Sequence, residues 1–365
     1  MSQSINAAVL RAALERYYEP HLRQNLGEAR AIQVCELDGT DLHLQLRLGF
    51  PVGGYQQQLS QALHQHLAEE GYEIGLRLTL DSEIEAHAVQ RGLTPLPGIA
   101  NVVAVASGKG GVGKSTVAVN LALAWAAQGA RVGLLDADIY GPSQPIMLGM
   151  QGERPGSRDG KRLVPIAAHG VVAMSIGFLV DVEQPMVWRG PMVTSALNQL
   201  MAETDWGELD YLVIDMPPGT GDIQLTLSQR VPVAGAVIVT TPQDISLADA
   251  RKGLRMFEKV NVPVLGIVEN MSSHTCSQCG HVEPIFGQGG GSKMAQQYGV
   301  QLLGELPLDA RIREEADGGS PTVVAAADTP RAQAYFNLAR RTAGELARRA
   351  RDRSLTFPKI VVEDT

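Results

Sequence analysis

The stretch ASGKGGVGKSTVAVN, residues 106–120, decides the fold of this chain. It follows the apolar run NVVAVAS, which is typical of a buried strand, and it leads into an apolar segment that is typical of a helix. A strand, a glycine-rich turn and a helix in this order are the context of a phosphate-binding loop. The spacing of Gly108, Gly113, Lys114 and Ser115 fits that motif in full. The sequence therefore predicts a nucleotide site here.

Each part of this loop has a physical role in holding phosphate. Glycines let successive backbone N–H groups converge on phosphate oxygens, and the start of the helix adds positive potential at the same place. We expect Lys114 to reach the β and γ phosphates, and the Ser115 hydroxyl to ligate Mg²⁺. The predicted nucleotide contacts in the loop are Gly108, Lys109, Gly110, Gly111, Val112, Gly113, Lys114, Ser115 and Thr116.

Length and composition favour a globular protein that does not act on nucleic acid or in a membrane. A chain of 365 residues suggests about two or three domains. Its net charge of −8 provides no general attraction to nucleic acid or to an anionic membrane. The N-terminus lacks a signal-peptide layout, and no apolar run reaches about 18 residues. We therefore expect a cytoplasmic protein with no nucleic-acid or membrane partner.

Two differently patterned regions divide the chain. Residues 1–82 predict a small α+β domain of order αββαβ, with the clean alternation of DLHLQLRL in its second strand. Prolines and glycines gather in residues 83–98, the predicted linker. Residues 99–365 alternate apolar strands with helices, which favours a mostly parallel sheet covered by helices on both faces. The predicted fold is thus an α/β P-loop NTPase domain preceded by the small domain.

Carboxylates follow two of these apolar strands, where a parallel sheet places its ligand crevice. Asp136 and Asp138 follow one strand, and Asp215 follows another. An aspartate that closes an apolar strand is a device that P-loop enzymes use to hold Mg²⁺. We assign that role to Asp215, acting through water. The alternative for Asp136 and Asp215 is that each caps a helix.

A pair of cysteines, Cys276 and Cys279, lies in a polar loop with the spacing CxxC. Two thiolates can grip one metal ion or one edge of an iron–sulfur cluster. The third cysteine, Cys35, belongs to the N-terminal domain and is expected to be an inert buried thiol. A closed four-thiolate site therefore needs a second subunit or two further ligands. His274 and His281 flank the pair and leave zinc open, and a redox dithiol is a further alternative.

The loop SGKGGVGKST resembles the deviant P-loop of the MinD/ParA, nitrogenase-iron-protein and arsenical-pump ATPases, because Lys109 directly follows its first glycine. That resemblance implies that Lys109 reaches the nucleotide of a partner subunit, so that ATP joins two chains. It also implies that Asp138 positions the attacking water and that Asn270 hydrogen-bonds adenine. The segment ELPLD, with Pro307, would then lie beside the base.

Further motifs are similar to those of the Mrp/ApbC family of iron–sulfur cluster carrier ATPases. They are LLDADIYGPSQP, WRGPM at 188–192, DMPPGTGD, and ENMS followed by the cysteine pair. The resemblance implies a homodimer that assembles a [4Fe–4S] cluster on Cys276 and Cys279 of both chains. ATP and Mg²⁺ would be its cofactors, slow ATP hydrolysis would be coupled to cluster binding or transfer, and apo-proteins would be the recipients. Cluster scaffold proteins are further candidate partners.

An alternative of another class is a MinD/ParA-like positioning or scaffold ATPase with structural zinc at the cysteine pair. The arginine-rich segment from Thr329 to Arg353, predicted to be one helix, would then meet a surface.

Overall fold

The computed structural model describes residues 6–158, 160–179 and 190–349, without the side chains of residues 190 and 191. Trp188 and Arg189 of the WRGPM motif lie outside the described residues. The last residues of the predicted C-terminal helix, 350–353, also lie outside them.

The N-terminal region contains the predicted order of helices and strands, with one addition. Two helices cover one face of a three-stranded sheet, in which β3 is antiparallel to β4 and β4 is parallel to β5. The alternating leucines of β4 are buried on that face, as their spacing predicts. A two-stranded hairpin, β1–β2, was not predicted. The elements are α1 Ala7–Glu15, β1 Tyr18–Glu19, β2 Gln24–Asn25, β3 Ile32–Asp38, β4 Asp41–Leu48, α2 Gln56–Glu69 and β5 Gly75–Ser82.

The remainder of the described chain forms an eight-stranded sheet flanked by helices, which confirms the predicted α/β class. Its strands are β6 Ile99–Ala106, β7 Val132–Asp136, β8 Ile166–Ala168, β9 Val171–Ser175, β10 Leu209–Asp215, β11 Gly235–Thr240, β12 Val264–Glu269 and β15 Gln301–Glu305. They lie in the order β15-β12-β11-β6-β10-β7-β9-β8. All neighbours are parallel except β8 and β9. A separate short hairpin consists of β13 His274–Thr275 and β14 Val282–Glu283.

The helices of this region are α3 Lys114–Ala127, α4 Gln144–Met147, α5 Gly190–Glu203, α6 Asp222–Arg230, α7 Asp244–Lys259, α8 Gly290–Tyr298, α9 Ala310–Asp317, α10 Thr322–Ala325 and α11 Pro330–Ala347. The described part of the predicted C-terminal helix thus ends at Ala347. In the described part of the chain, no helix combines the length and the apolar character needed to cross a membrane.

Helix α3 is buried between the sheet and α11, because its sequence is apolar on all sides. Trp125 stacks on Tyr211 of β10 with ring centroids 4.2 Å apart, and its indole N–H donates to the Ala339 carbonyl oxygen at 2.8 Å. Strand β6, which the glycine-rich loop connects to α3, lies in the middle of the sheet, between β10 and β11. The carboxyl ends of parallel strands therefore surround the start of α3, as expected for a ligand crevice.

The N-terminal region packs on the opposite end of α3, away from that crevice. The backbone N–H of Gly53 donates to the Gln128 carbonyl oxygen at 3.0 Å. The Arg340 guanidinium of α11 donates to the Gly53 carbonyl oxygen at 3.3 Å and lies 4.8 Å from the centre of the Tyr55 ring. Direct contacts thus join the two regions, while the proposed domain limits, 1–82, 83–98 and 99–365, stay a prediction.

Candidate nucleotide and thiol site

The glycine-rich loop between β6 and α3 needs glycine for conformation and for space. Gly111 and Gly113 have φ values of +80° and +83°, a backbone region that side chains with a Cβ rarely adopt. At Gly108 a Cβ would lie 2.1 Å from the carbonyl oxygen of Asp249 in α7. The loop is therefore held against α7 while it turns into the N-terminus of α3, the geometry that favours a bound phosphate.

The two lysines of the loop have different surroundings. Lys114 is buried, and its ammonium forms a close ion pair with Oδ1 of Asp215. Lys109 is exposed, and its backbone carbonyl accepts a hydrogen bond from the Ser107 hydroxyl at 2.8 Å. An exposed Lys109 is available to a second chain, and its action there stays a prediction.

Two groups with oxygen donors suited to Mg²⁺, the Ser115 hydroxyl and the Asp215 carboxylate, lie around the ammonium of Lys114. The ammonium of Lys114 contacts both the Asp215 carboxylate and, at 3.1 Å, the Ser115 hydroxyl, so both oxygens already face one positive charge. Carboxylate and hydroxyl oxygens are ligands that Mg²⁺ accepts. The residues present therefore fit a Mg²⁺ ion held by Ser115 and Asp215. When bound, it would neutralise charge on the phosphates.

Sequence reasoning missed Gln144, which joins three parts of this site. Its side-chain amide donates to Oδ2 of Asp215 at 2.8 Å and to the Ser115 carbonyl oxygen at 3.2 Å. Its backbone N–H donates to Oδ2 of Asp136 at 3.1 Å. Gln144 lies within the motif LLDADIYGPSQP, but a glutamine beside a proline at the start of a short helix does not by itself indicate a site.

Asp136 is fully buried and organises the loop that follows β7. Its carboxylate accepts hydrogen bonds from the backbone N–H of Asp138 and from the Ser175 hydroxyl, each at 3.1 Å, besides the one from Gln144. Burial, and then the negative charge of Asp215, raise the pKa of Asp136 to about 7. Asp136 therefore shapes the loop after β7, and the N-cap residue of α4 is Ser143.

Asp138 lies in the same loop and is half-buried. Burial raises the pKa of its carboxyl group, while Lys114 and the backbone N–H groups of Gly141 and Tyr140 oppose that shift. The position is close to the charged centre of the site. The predicted water-positioning role of Asp138 stays a prediction.

Asn270 follows β12 and packs directly on the phosphate-binding loop. Its side-chain amide donates to the Val112 carbonyl oxygen at 2.8 Å, and its nitrogen would lie 2.2 Å from a Cβ at Gly113. A contact between Asn270 and adenine stays a prediction, as does the position of the base beside Pro307.

The cysteine pair lies on the hairpin β13–β14, which is tightly turned. The Cys276 N–H donates to the His281 carbonyl oxygen at 2.8 Å, and the Gly280 N–H donates to the Cys276 carbonyl oxygen at 2.9 Å. Gly280 has a φ of +73°, so a glycine suits the turn. Cys276 is partly exposed and Cys279 is exposed. The backbone N–H groups of Gln278 and Cys279 lower the pKa of the Cys276 thiol, which favours the thiolate form that binds metals.

Hydrogen bonds fasten this hairpin to the loop after β15. The Ser272 N–H donates to the Leu306 carbonyl oxygen at 2.9 Å, and the Leu308 N–H donates to the Ser273 carbonyl oxygen at 2.8 Å. Nδ1 of His274 lies 3.0 Å from the Leu308 carbonyl oxygen and therefore donates to it. The cysteines are thus held six and nine positions after Asn270, the residue that contacts the phosphate-binding loop.

A metal centre complete within one chain is not found among residues 6–158, 160–179 and 190–349, where no group of three or more His, Cys, Asp or Glu side chains is placed to hold a metal ion. Cys35 lies in β3 of the N-terminal sheet and is half-buried, with its sulfur 3.7 Å from the Ala7 carbonyl oxygen. Burial raises the pKa of this thiol, which agrees with the expected inert role.

Known proteins resemble this chain along most of its length. A family model described as ParA: NUBPL iron-transfer P-loop NTPase matches residues 98–343. An iron-sulfur cluster carrier protein of Haemophilus influenzae is 52% identical over 333 residues, which cover 91% of this chain and 90% of that protein. The iron-sulfur cluster transfer protein NUBPL of Mus musculus is 52% identical over 256 residues, 69% of this chain and 80% of that protein.

A solved structure is similar to about two thirds of this chain. The nucleotide-binding protein of Archaeoglobus fulgidus, in complex with ADP, has 39% identity and a TM-score of 0.57, and the match covers 66% of this chain and 93% of that one.

Proposed function

Because the chain belongs to the NUBPL iron-transfer family of ParA-type P-loop NTPases, we propose that it is an ATP-dependent carrier that transfers [4Fe–4S] clusters to apo-proteins. The membership confirms the resemblance to iron–sulfur cluster carrier ATPases. The cluster is the cargo of the protein. A cytoplasmic location is part of this proposal.

The nucleotide is proposed to bind at the glycine-rich loop, with Mg²⁺ on Ser115 and Asp215. The Archaeoglobus fulgidus protein, which was solved in complex with ADP, supports nucleotide binding, since the match covers 93% of that chain at 39% identity. In the described structure Lys114 pairs with Asp215. Binding of a triphosphate would give the ammonium a second set of anionic partners, so the pair is expected to open or rearrange when nucleotide binds.

The cluster is proposed to bind between two copies of the chain. Cys276 and Cys279 supply two thiolates from each chain, and a [4Fe–4S] cluster takes four. Val282 and Ile285, beside the cysteines, are more than half exposed, and such apolar side chains suit a surface that a second copy covers. The exposed Lys109 would reach the partner's nucleotide across the same interface.

The observation that carries this proposal is the short connection between the nucleotide loop and the thiols. Asn270 contacts Val112, and the chain then runs directly into the hairpin of Cys276, which is fastened at His274. Because this connection is short and held by hydrogen bonds, a shift of the phosphate-binding loop would also move the cysteines. Nucleotide could in this way change how tightly a cluster is held.

Anaerobic reconstitution of the full chain with iron and sulfide tests the proposal. We expect about four iron and four sulfide per dimer. Cys279→Ala should lose them, and the matched control Cys35→Ala should keep them. Nucleotide should change the rate of transfer to an apo-ferredoxin. Iron loading of Cys279→Ala equal to the wild type, or one tightly bound zinc per chain in place of iron, would refute the carrier role and favour the positioning ATPase.

A further inference from the structure

Gln144 is the one residue that touches both strand-end aspartates and the start of α3 among the described contacts of this site. It is the first residue of α4, directly after the loop that carries Asp138, and it is only 1% exposed. Neither the phosphate-binding motif nor the cysteine pair accounts for it. Its position therefore calls for a physical explanation.

The contacts divide the Asp215 carboxylate between two partners. Oδ1 faces the ammonium of Lys114, and Oδ2 accepts from the side-chain amide of Gln144. If Lys114 turns to the phosphates, Oδ1 is released for Mg²⁺, and the bond to Gln144 becomes the contact that fixes the plane of the carboxylate. Partners of this kind commonly orient the carboxylates around metal ions.

Stability alone does not favour a glutamine at this position. Oε1 of Gln144 is buried and accepts no hydrogen bond from the described residues. A buried acceptor without a donor is unfavourable, whereas methionine would fill a similar volume without one. The hydrogen bonds that the amide donates to Asp215 and Ser115 therefore explain a glutamine here better than packing does.

On the basis of the proposed nucleotide function, we propose that Gln144 is a positioning residue for the Mg²⁺ site. Its side chain orients Asp215 through Oδ2. Its backbone ties the Asp138 loop to Asp136, so that the loop and the metal-facing carboxylate move together. In this role Gln144 acts through Asp215 and the Asp138 loop.

Nucleotide binding with and without metal tests this role in the full chain. A fluorescent ATP analogue is titrated in EDTA, and Mg²⁺ is then titrated at fixed nucleotide. Gln144→Met should bind the analogue in EDTA as the wild type does but need about tenfold more Mg²⁺. Its hydrolysis should show a lower kcat at an unchanged KM. Gln144→Asn keeps the amide but is one methylene too short, so it should behave like Gln144→Met.

Gln90→Met is the matched control. Gln90 is a buried glutamine with hydrogen bonds to the Ser228 and Val231 carbonyl oxygens and the Val233 N–H, outside the nucleotide site. This variant should lower the unfolding temperature yet keep the Mg²⁺ titration of the wild type.

The outcomes separate this role from the proposed function. A Gln144→Met protein with the Mg²⁺ titration of the wild type would overturn the positioning role and leave the nucleotide function standing. Equal losses of binding with and without metal, together with a lower unfolding temperature, would reduce Gln144 to a structural residue. A wild-type chain that binds no nucleotide would overturn the proposed function and this role together.

Discussion

Removal of one charge from the buried pair of Lys114 and Asp215 should destabilise the protein more than any substitution on its surface. The lysine side chain is 6% exposed and the aspartate 0%. Asp215→Asn leaves the ammonium buried, with the Ser115 hydroxyl as its remaining described contact. Loss of one partner from a buried ion pair costs about 3–5 kcal/mol of the free energy of unfolding. Lys114→Met should reduce the free energy of unfolding by a similar amount, because the buried Asp215 carboxylate then keeps only its hydrogen bond from Gln144.

The double variant separates pairing from packing. With both charges removed, no unpaired ion stays buried, so the combined loss should be smaller than the sum of the single losses by up to about 3 kcal/mol. Urea unfolding measures the loss of unfolding free energy in each variant. The near-ultraviolet circular dichroism of the stacked Trp125 and Tyr211 monitors the unfolding. Trp125 lies in α3, the helix that Lys114 begins, so its signal reports on the affected element.

Nucleotide provides a second measurement on the same variants. In EDTA, Asp215→Asn should bind ATP more tightly than the wild type, because no ion pair must open and one negative charge near the phosphates is gone. Losses that add up in the double variant, or a cost of Asp215→Asn below about 1 kcal/mol, would refute the ion-pair reasoning.

Four further outcomes follow from the structure. Lys109→Ala should keep nucleotide binding and slow hydrolysis, since it removes only the charge proposed to act across the dimer; phosphate release and nucleotide titration measure the two, and a full loss of binding would contradict it. Alkylation of Cys276 by iodoacetamide should reach its half-maximal rate at a lower pH than that of a free cysteine peptide, because nearby backbone N–H groups lower the pKa of the thiol; a half-point above the peptide's would disprove the shift. Burial lowers the pKa of His21 to about 3, so the unfolded chain takes up a proton that the folded chain does not, and stability should fall as the pH drops from about 6.5 toward 3; thermal unfolding of His21→Phe should show a weaker fall, and an equal fall would count against this. Gly344→Ala should destabilise by about 1–3 kcal/mol or more, since its Cβ would lie 2.1 Å from the His21 carbonyl oxygen; Gly253→Ala, with its nearest atom 3.9 Å away in a helix, is the control that should lose nothing in urea unfolding.

Much of the fold could be predicted because its signals are local. The alternation of DLHLQLRL identified the central strand of the N-terminal sheet, and the apolar runs identified most strands of the large sheet. The hairpin β1–β2 and the strand β8 escaped prediction, because two or three residues are too few to show a period. In the same way, α4 begins inside a motif that looks like a loop.

In the candidate site, too, the features formed by neighbouring residues could be predicted, and the contacts between distant residues could not. The glycines of residues 108–113 and the CxxC pair could be found in the sequence, because left-handed turns and ligand spacing are properties of a few consecutive residues. The sequence also placed Asp215 at a strand end. It did not show that Asp215 would pair with Lys114, which lies 101 positions away.

By itself, the sequence determined the phosphate-binding loop, the parallel α/β class and the pair of closely spaced thiols at Cys276 and Cys279. The tertiary structure decided which of these parts meet. Gln144 reaches Asp215 only because β10 lies between β6 and β7 in the sheet, and the cysteine hairpin is held at Leu308 only because β15 lies beside β12. Strand order depends on how distant segments of the chain pack together, and the local sequence of each strand does not indicate it.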